Sequence, residues 1–206
     1  MIKYFVRTTG DRTLDNSFSR ELGEEFTLLV DAKHKNIESF IEQLKVMNNY
    51  DSVLLEDDVV LCRDFKKYIE EVIASYPDKI INFFSAPTEY LKSGIVNSNF
   101  SFQQCRYFPK GSSTIFIEEL PKFINNKKVC PCLNVIAIKH NIKIKHYRPC
   151  LVQHLDFDSL VGNVTGWRIT PYFKDYLDEL GISYDDAEKE ENTSKLKNLL
   201  KTKFKQ

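Results

Sequence analysis

A chain of 206 residues, 42% hydrophobic and 28% charged, suits one globular domain with a sizeable core and excludes a disordered or collagen-like chain. Lys+Arg and Asp+Glu balance at 29 each, so net charge gives no sign of a nucleic-acid binder, and no apolar run approaches the roughly 20 residues a membrane span needs. Five scattered cysteines (Cys62, Cys105, Cys130, Cys132 and Cys150) fit a reducing, cytoplasmic setting better than a disulfide framework, and Cys130-Pro-Cys132 lacks a zinc-knuckle spacing.

Ile2 to Thr8 reads as a first strand, broken by Gly10-Asp11. Met1 to Gly10 has no signal-peptide layout. Leu14, Phe18 and Leu22 recur every four residues, which predicts a short helix ended by Gly23. Phe26 to Val30 reads as a strand. Ile37, Phe40, Ile41, Leu44 and Met47 then follow the i, i+3, i+4, i+7 rule of an amphipathic helix. Val53 to Leu61 reads as a third strand. Asp64 is placed to cap a helix with the apolar face Phe65, Tyr68, Ile69, Val72, Ile73 and Tyr76, and Lys79 to Ser85 is a fourth strand. This alternation predicts an α/β fold with a mostly parallel central sheet.

Ala86 to Gln104 has no sustained period and reads as a long loop. Gln104 to Phe108 and Ser113 to Ile117 are short strand candidates, Leu120 to Asn125 a helical turn, Leu133 to Lys139 a helix and Ile142 to Tyr147 a strand. Arg148 to His154 reads as a buried segment ending in a polar pair. Residues 185–191 are acidic. Lys195 to Gln206 is basic, with Leu196, Leu199, Leu200 and Phe204 at helical spacing: a surface helix packed on the body, or a membrane or nucleic-acid dock. No other basic patch suited to anionic lipid stands out before residue 195. The expected organisation is a domain over 1–165 and a C-terminal helical segment over 166–206, packed on it or extending from it.

The chemistry gathers in Glu56-Asp57-Asp58, three carboxylates in a row between Val53-Leu54-Leu55 and Val59-Val60-Leu61. A buried strand does not hold three adjacent charges unless something pairs with them. On a continuous strand Glu56 and Asp58 would share one side and Asp57 the other. A turn with solvated acids yields the same letters. The apolar flanks and the following helix favour a carboxylate site for a hard cation, Mg²⁺ or Mn²⁺.

Leu55-Glu56-Asp57-Asp58, followed by Asp64-Phe65 and a helix, and then Pro149-Cys150-Leu151-Val152-Gln153-His154 with Ser159 close behind, resembles small glycosyltransferases of the GT-A fold. The similarity is to the lipopolysaccharide-type family and its bacteriophage relatives, over roughly Tyr4 to Asn163. The resemblance implies a nucleotide-sugar-binding fold with helices on both faces of its sheet. It implies a metal site of Asp58 and His154, with Glu56 and Asp57 supporting it or contacting the donor. Ser159 and Gly162 would lie near the donor diphosphate; Arg7, Thr8 and Thr9 would line the nucleotide pocket, with Arg12 on a phosphate or base. One departure is that Cys132-Leu133-Asn134 holds no carboxylate where many phage-type relatives carry an Asp. Glu89, Asp156 and Asp158 are then the general-base candidates, and a retaining enzyme would not need one. Asp58 completes the catalytic set through its metal.

The function expected is metal-dependent sugar transfer from a nucleotide-diphosphate sugar, a UDP-sugar first, to an acceptor hydroxyl. A hydroxymethylated base in bacteriophage DNA is the favoured acceptor and the host cytoplasm its setting. A lipopolysaccharide-type saccharide acceptor, a non-catalytic nucleotide-binding module, and a nuclease or phosphatase with a carboxylate-bound metal are the alternatives. Taken alone, His154 reads more readily as a structural histidine than as a ligand, and it is the Gln153-His154 context of the resemblance that makes it a ligand candidate. His34, His140 and His146 read as surface residues, and Trp167 as a stacking platform or a core anchor.

Overall fold

The structure, a computed structural model, describes residues 1–31, 36–84, 104–126, 128–155 and 169–204, and the backbone of 94–98. Among these, seven strands form one sheet: β1 (Ile2–Thr8), β2 (Phe26–Val30), β3 (Asp51–Glu56), β5 (Ile80–Asn82), β6 (Gly94–Ser98), β7 (Cys105–Phe108) and β8 (Ile144–Arg148). Their order is β2-β1-β3-β7-β5-β8-β6. Only β7 and β6 run against the other five. Two further short strands, β4 (Val59–Leu61) and β9 (Val152–His154), pair antiparallel in a separate ribbon.

Alternation along the strands sends side chains to two cores. Tyr4, Val6, Val53, Leu55, Ile81 and Tyr107 face one side, under helices α1 (Asn16–Leu22), α3 (Phe65–Ser75), α6 (Lys174–Leu180) and α7 (Glu190–Phe204). Phe5, Leu54, Ile80, Phe108 and Ile144 face the other, under α2 (Asn36–Met47), α4 (Thr114–Glu119) and α5 (Val129–Lys139). The fold is therefore α/β with helices on both faces. Among the described residues no helix is long and apolar enough to cross a membrane.

The structure departs from the sequence reading at several places. Val53 to Leu61 is not one strand. The chain leaves the sheet after Glu56, turns at Asp57-Asp58 and enters β4 in the ribbon. Ending the strand at the first acid spares the sheet two buried charges. Asp64 does not cap α3: its backbone is left-handed (φ 57°) and its side chain makes no cap bond. Glu21 Oε2 instead accepts from the Phe65 amide at 3.0 Å. Ser113 to Ile117 is not a strand. Thr114–Glu119 is helical and buries Phe116, so packing overrides the strand propensity of Thr-Ile-Phe-Ile. The long loop predicted before Gln104 contains β6, whose five residues pair with β8. Helix α6 carries no clear sequence period, and β5 is three residues rather than seven.

Candidate functional site at the carboxyl edge of the sheet

Ligands of α/β sheets bind beyond the carboxyl ends of the strands. At that edge β1 ends in Thr8, β2 in Val30-Asp31 and β3 in Glu56, with Arg7 directly beside Glu56 in the β1–β3 register. Arg7 is held from three sides. Its Nη2 donates to Asn36 Oδ1 at 2.6 Å and lies 3.7 Å from Asp31 Oδ2, and its Nη1 lies 3.5 Å from Glu56 Oε1. Burial pushes the Glu56 carboxyl from 4.5 up to about 7. Arg7 opposes that rise, and Asp58 and Asp57 add to it.

The turn at Asp57-Asp58 aims its two carboxylates differently. Asp57 Oδ2 accepts from the buried Thr8 hydroxyl at 2.7 Å, and that hydroxyl accepts from the Gly10 amide at 2.9 Å. Gly10 has φ 85°, a left-handed turn that only glycine adopts readily. It swings the next residues back, so that Arg12 Nη1 reaches Asp57 Oδ1 at 3.2 Å and Asp58 Oδ2 at 3.1 Å. Arg12 thus bridges both acids.

His154 arrives through the ribbon. Val59 pairs with His154, and the Leu155 amide donates to the Asp58 carbonyl at 2.7 Å. This places His154 Nε2 3.3 Å from Asp58 Oδ2, with both side chains largely buried. The neighbouring Gln153 binds the backbone of Thr170 in both directions, at 2.8 and 2.9 Å, which ties the C-terminal segment to the strand that carries His154.

The donor set suits a hard cation in part. Neighbouring corners of an octahedron about an ion with bonds of about 2.1 Å lie about 3 Å apart, close to the Asp58–His154 separation. A carboxylate oxygen and an imidazole nitrogen fit Mn²⁺ or Mg²⁺ chemistry. Asp57 is spent on Thr8 and Arg12. Among the described residues no group of three or more His, Cys, Asp or Glu side chains converges, so water and substrate oxygens would have to complete a coordination shell. Two buried oxygens at this edge, Thr9 Oγ1 and Gln104 Oε1, have no hydrogen-bond partner among the described residues, and a buried oxygen left so is costly.

Of the residues singled out from the sequence, the structure gathers Arg7, Thr8, Thr9, Arg12, Glu56, Asp57, Asp58 and His154 at this edge. Glu89, Asp156, Asp158, Ser159, Gly162, His34 and Trp167 lie outside the described residues. His140 is exposed, but His146 is fully buried, contrary to the surface placement expected. His146 belongs to a polar band that sequence reasoning missed: Asn82, Arg106, His146 and Arg148, all buried. Leu54, Arg106, Asn82 and His146 are neighbours across β3, β7, β5 and β8. Burial pulls the Arg106 guanidinium down to about 10, still charged near neutrality. The available signal was a lone Arg or His at alternate positions within Cys105-Arg106-Tyr107-Phe108 and Ile144-Lys145-His146-Tyr147-Arg148. Asp31 and Asn36, the partners of Arg7, carried no signal.

No protein-family model and no curated protein matches this chain. Among solved structures, the chain is similar to the crystal structure of A197 from STIV, at 13% identity, over 76% of this chain and 86% of that one, with a TM-score of 0.48.

Proposed function

We propose that this protein is a metal-dependent glycosyltransferase of GT-A type, moving a sugar from a nucleotide-diphosphate donor to an acceptor hydroxyl. The observation that carries the reading is the 3.3 Å approach of His154 Nε2 to Asp58 Oδ2 at the carboxyl edge, between residues 96 positions apart in the chain. Asp58 and His154 would hold Mn²⁺ or Mg²⁺, which when bound supplies Lewis-acid neutralisation of a leaving diphosphate. Asp57, fixed by Thr8 and Arg12, sets the turn that presents Asp58. Arg12 offers a cation to phosphate oxygens. Thr9 Oγ1 and Gln104 Oε1 offer polar atoms to a nucleotide. Glu89 and Asp156 are retained as general-base candidates from sequence, and Ser159 and Gly162 as diphosphate contacts. The donor is a UDP-sugar first. The acceptor is a hydroxymethylated base in duplex DNA, which would need flipping out of the stack, or a saccharide.

A second reading is favoured by Arg12, whose guanidinium is shared between Asp57 and Asp58 and offsets one of their two charges. On that reading the protein is a nucleotide-binding module without turnover.

Hydrolysis of a panel of nucleotide sugars, with Mn²⁺ and with chelator, separates the two. The transferase reading expects Mn²⁺-dependent release of nucleoside diphosphate that Asp58→Asn reduces by at least about 10²-fold. Binding of nucleotide in a thermal-shift assay, indifferent to Mn²⁺ and lost in Arg12→Gln, establishes the module instead.

A further inference from the structure

We infer that the outer face of α5, with the turn before it, docks on an anionic lipid surface. The residues of α5 before Lys139 are Val-Cys-Pro-Cys-Leu-Asn-Val-Ile-Ala-Ile, apolar on every side except at Asn134. Its inner face is accounted for: Val129, Cys132, Leu133, Ile136 and Ala137 pack into the core with α2 and α4. The opposite stripe is also apolar. Pro131, Val135 and Ile138, at spacings of four and three, are exposed, Val135 at 52% and Ile138 at 73%. Ile124, at the end of the single helical turn Leu120–Phe123 that packs beside α5, adds a further side chain exposed at 46%. Single exposed apolar residues are ordinary on a protein surface. A helix apolar on both faces has an apolar neighbour on both.

Charge selects the neighbour. From Leu120 to Leu155 the chain has six lysines, one arginine and no Asp or Glu; Lys122, Lys128 and Lys139 flank the stripe, whereas Lys145 lies over Tyr76 on the other side of the sheet and Arg148 is buried. Lys128 precedes the helix and Lys139 ends it, so both ends of the stripe are basic. Lys139 Nζ and Lys122 Nζ lie 2.8 and 2.7 Å from the carboxylate of Glu119; counting the exposed Glu118 beside it, Lys122, Lys128 and Lys139 still exceed the acids around the stripe by one charge. Anionic headgroups complement such a rim while the acyl boundary receives the stripe. Against a second copy, antiparallel α5 helices would set Lys128 of one beside Lys139 of the other, and like charges disfavour that. Nucleic acid would match the lysines and leave Val135 and Ile138 in water. Such a surface differs from the sequence-based expectation, in which no strongly basic patch for anionic lipid stands out before residue 195. The surface is independent of sugar transfer, so its test does not depend on the proposed activity.

The test is co-sedimentation of the full chain with vesicles of phosphatidylcholine alone and of phosphatidylcholine mixed with phosphatidylglycerol, at low and high salt. The comparison variant is V135Q/I138Q, whose glutamines are good helix formers at exposed positions, with its fold checked by an unchanged Tm. The expected result is binding to the anionic vesicles only, weakened by salt, and at least about tenfold weaker in the variant. Three results overturn the inference: no binding to either vesicle, equal binding by the variant and the parent, or binding to duplex DNA in place of vesicles. A dimer in sedimentation velocity that V135Q/I138Q dissolves also overturns it, in favour of a second copy.

Discussion

Arg12 is the cation that bridges the two carboxylates of the acidic turn. Its guanidinium pairs with Asp57 and Asp58 at once and offsets one of their two charges. Removing it takes a shared cation from two adjacent, largely buried carboxylates, and the loss of one partner from such a cluster is destabilising. Arg12→Gln is therefore expected to lower the stability of the chelator-treated protein by about 1–3 kcal/mol. Mn²⁺ should restore more stability to this variant than to the parent, read as the shift in Tm. A larger Mn²⁺ shift in the parent would contradict competition between the guanidinium and a cation.

Glu56 gives a pH dependence of definite sign. Its carboxyl titrates near 7 in the folded protein because burial disfavours its charge, against 4.5 when unfolded. Between those values the folded state holds a proton the unfolded state has lost, so stability falls as pH rises. The contribution is complete below about 4.5 and gone above about 7, and amounts to at most about 3 kcal/mol. Denaturant titrations of metal-free protein from pH 5 to 8 should show this decline, and Glu56→Gln should flatten it. A rise in stability over the same range, absent in Glu56→Gln, would show that Arg7 outweighs burial.

At the scale of elements, the entry to α3 and the β3–β4 turn are linked through α1. Leu61 of β4 donates its amide to Ser17 Oγ at 2.9 Å, and its carbonyl accepts from Arg20 Nη2 at 3.1 Å. Glu21, one residue on, caps α3 at Phe65. One short helix thus secures the ribbon strand that follows Asp58 and the helix after it. Losing a cap costs about 1 kcal/mol. Glu21→Ala is expected to cost that much in chemical denaturation, while Asp64→Asn, at a position with no cap bond and a tolerated left-handed backbone, changes stability by less than about 0.5 kcal/mol. The reverse ranking would return the cap to Asp64.

At the scale of the molecule, the C-terminal helices share the main core. Tyr176, Leu177, Ile182, Ala187 and Leu196 belong to the same buried cluster as Val6, Leu55 and Phe65. The chain is fastened there by backbone bonds from Cys150 to Tyr172 and from Lys174 to Cys150, at 3.0 and 2.9 Å. Leu196→Ala is expected to cost about 2–4 kcal/mol. Truncation after Lys189 should lower the single unfolding transition rather than leave an unchanged one. An unaltered Tm in the truncated chain would mean that α7 folds apart from the body. The same helices bear on the site, since Gln153 couples Thr170 to the strand of His154.

The sequence by itself determined the alternation of β1, α1, β2, α2, β3 and α3, because helical spacing of apolar residues marks the helices and short apolar runs bounded by polar or turn residues mark the strands. It also marked the acidic turn, since three charges inside an apolar run need a partner. Tertiary structure alone decided the rest. That β3 stops at Glu56 and β4 joins β9 depends on long-range pairing, which no local pattern encodes. Ser113 to Ile117 has strand propensity and became a helix because Phe116 had a core to fill. The buried band of Asn82, Arg106, His146 and Arg148 is spread over three strands, and single polar letters in short segments carry no period. The meeting of Asp58 with His154 followed in the sequence from a resemblance, and in the molecule from the register Val59 to His154. Side-chain proximity across a chain is a property of strand pairing, and the pairing of β4 with β9 joins segments far apart in the sequence, which no local pattern fixes.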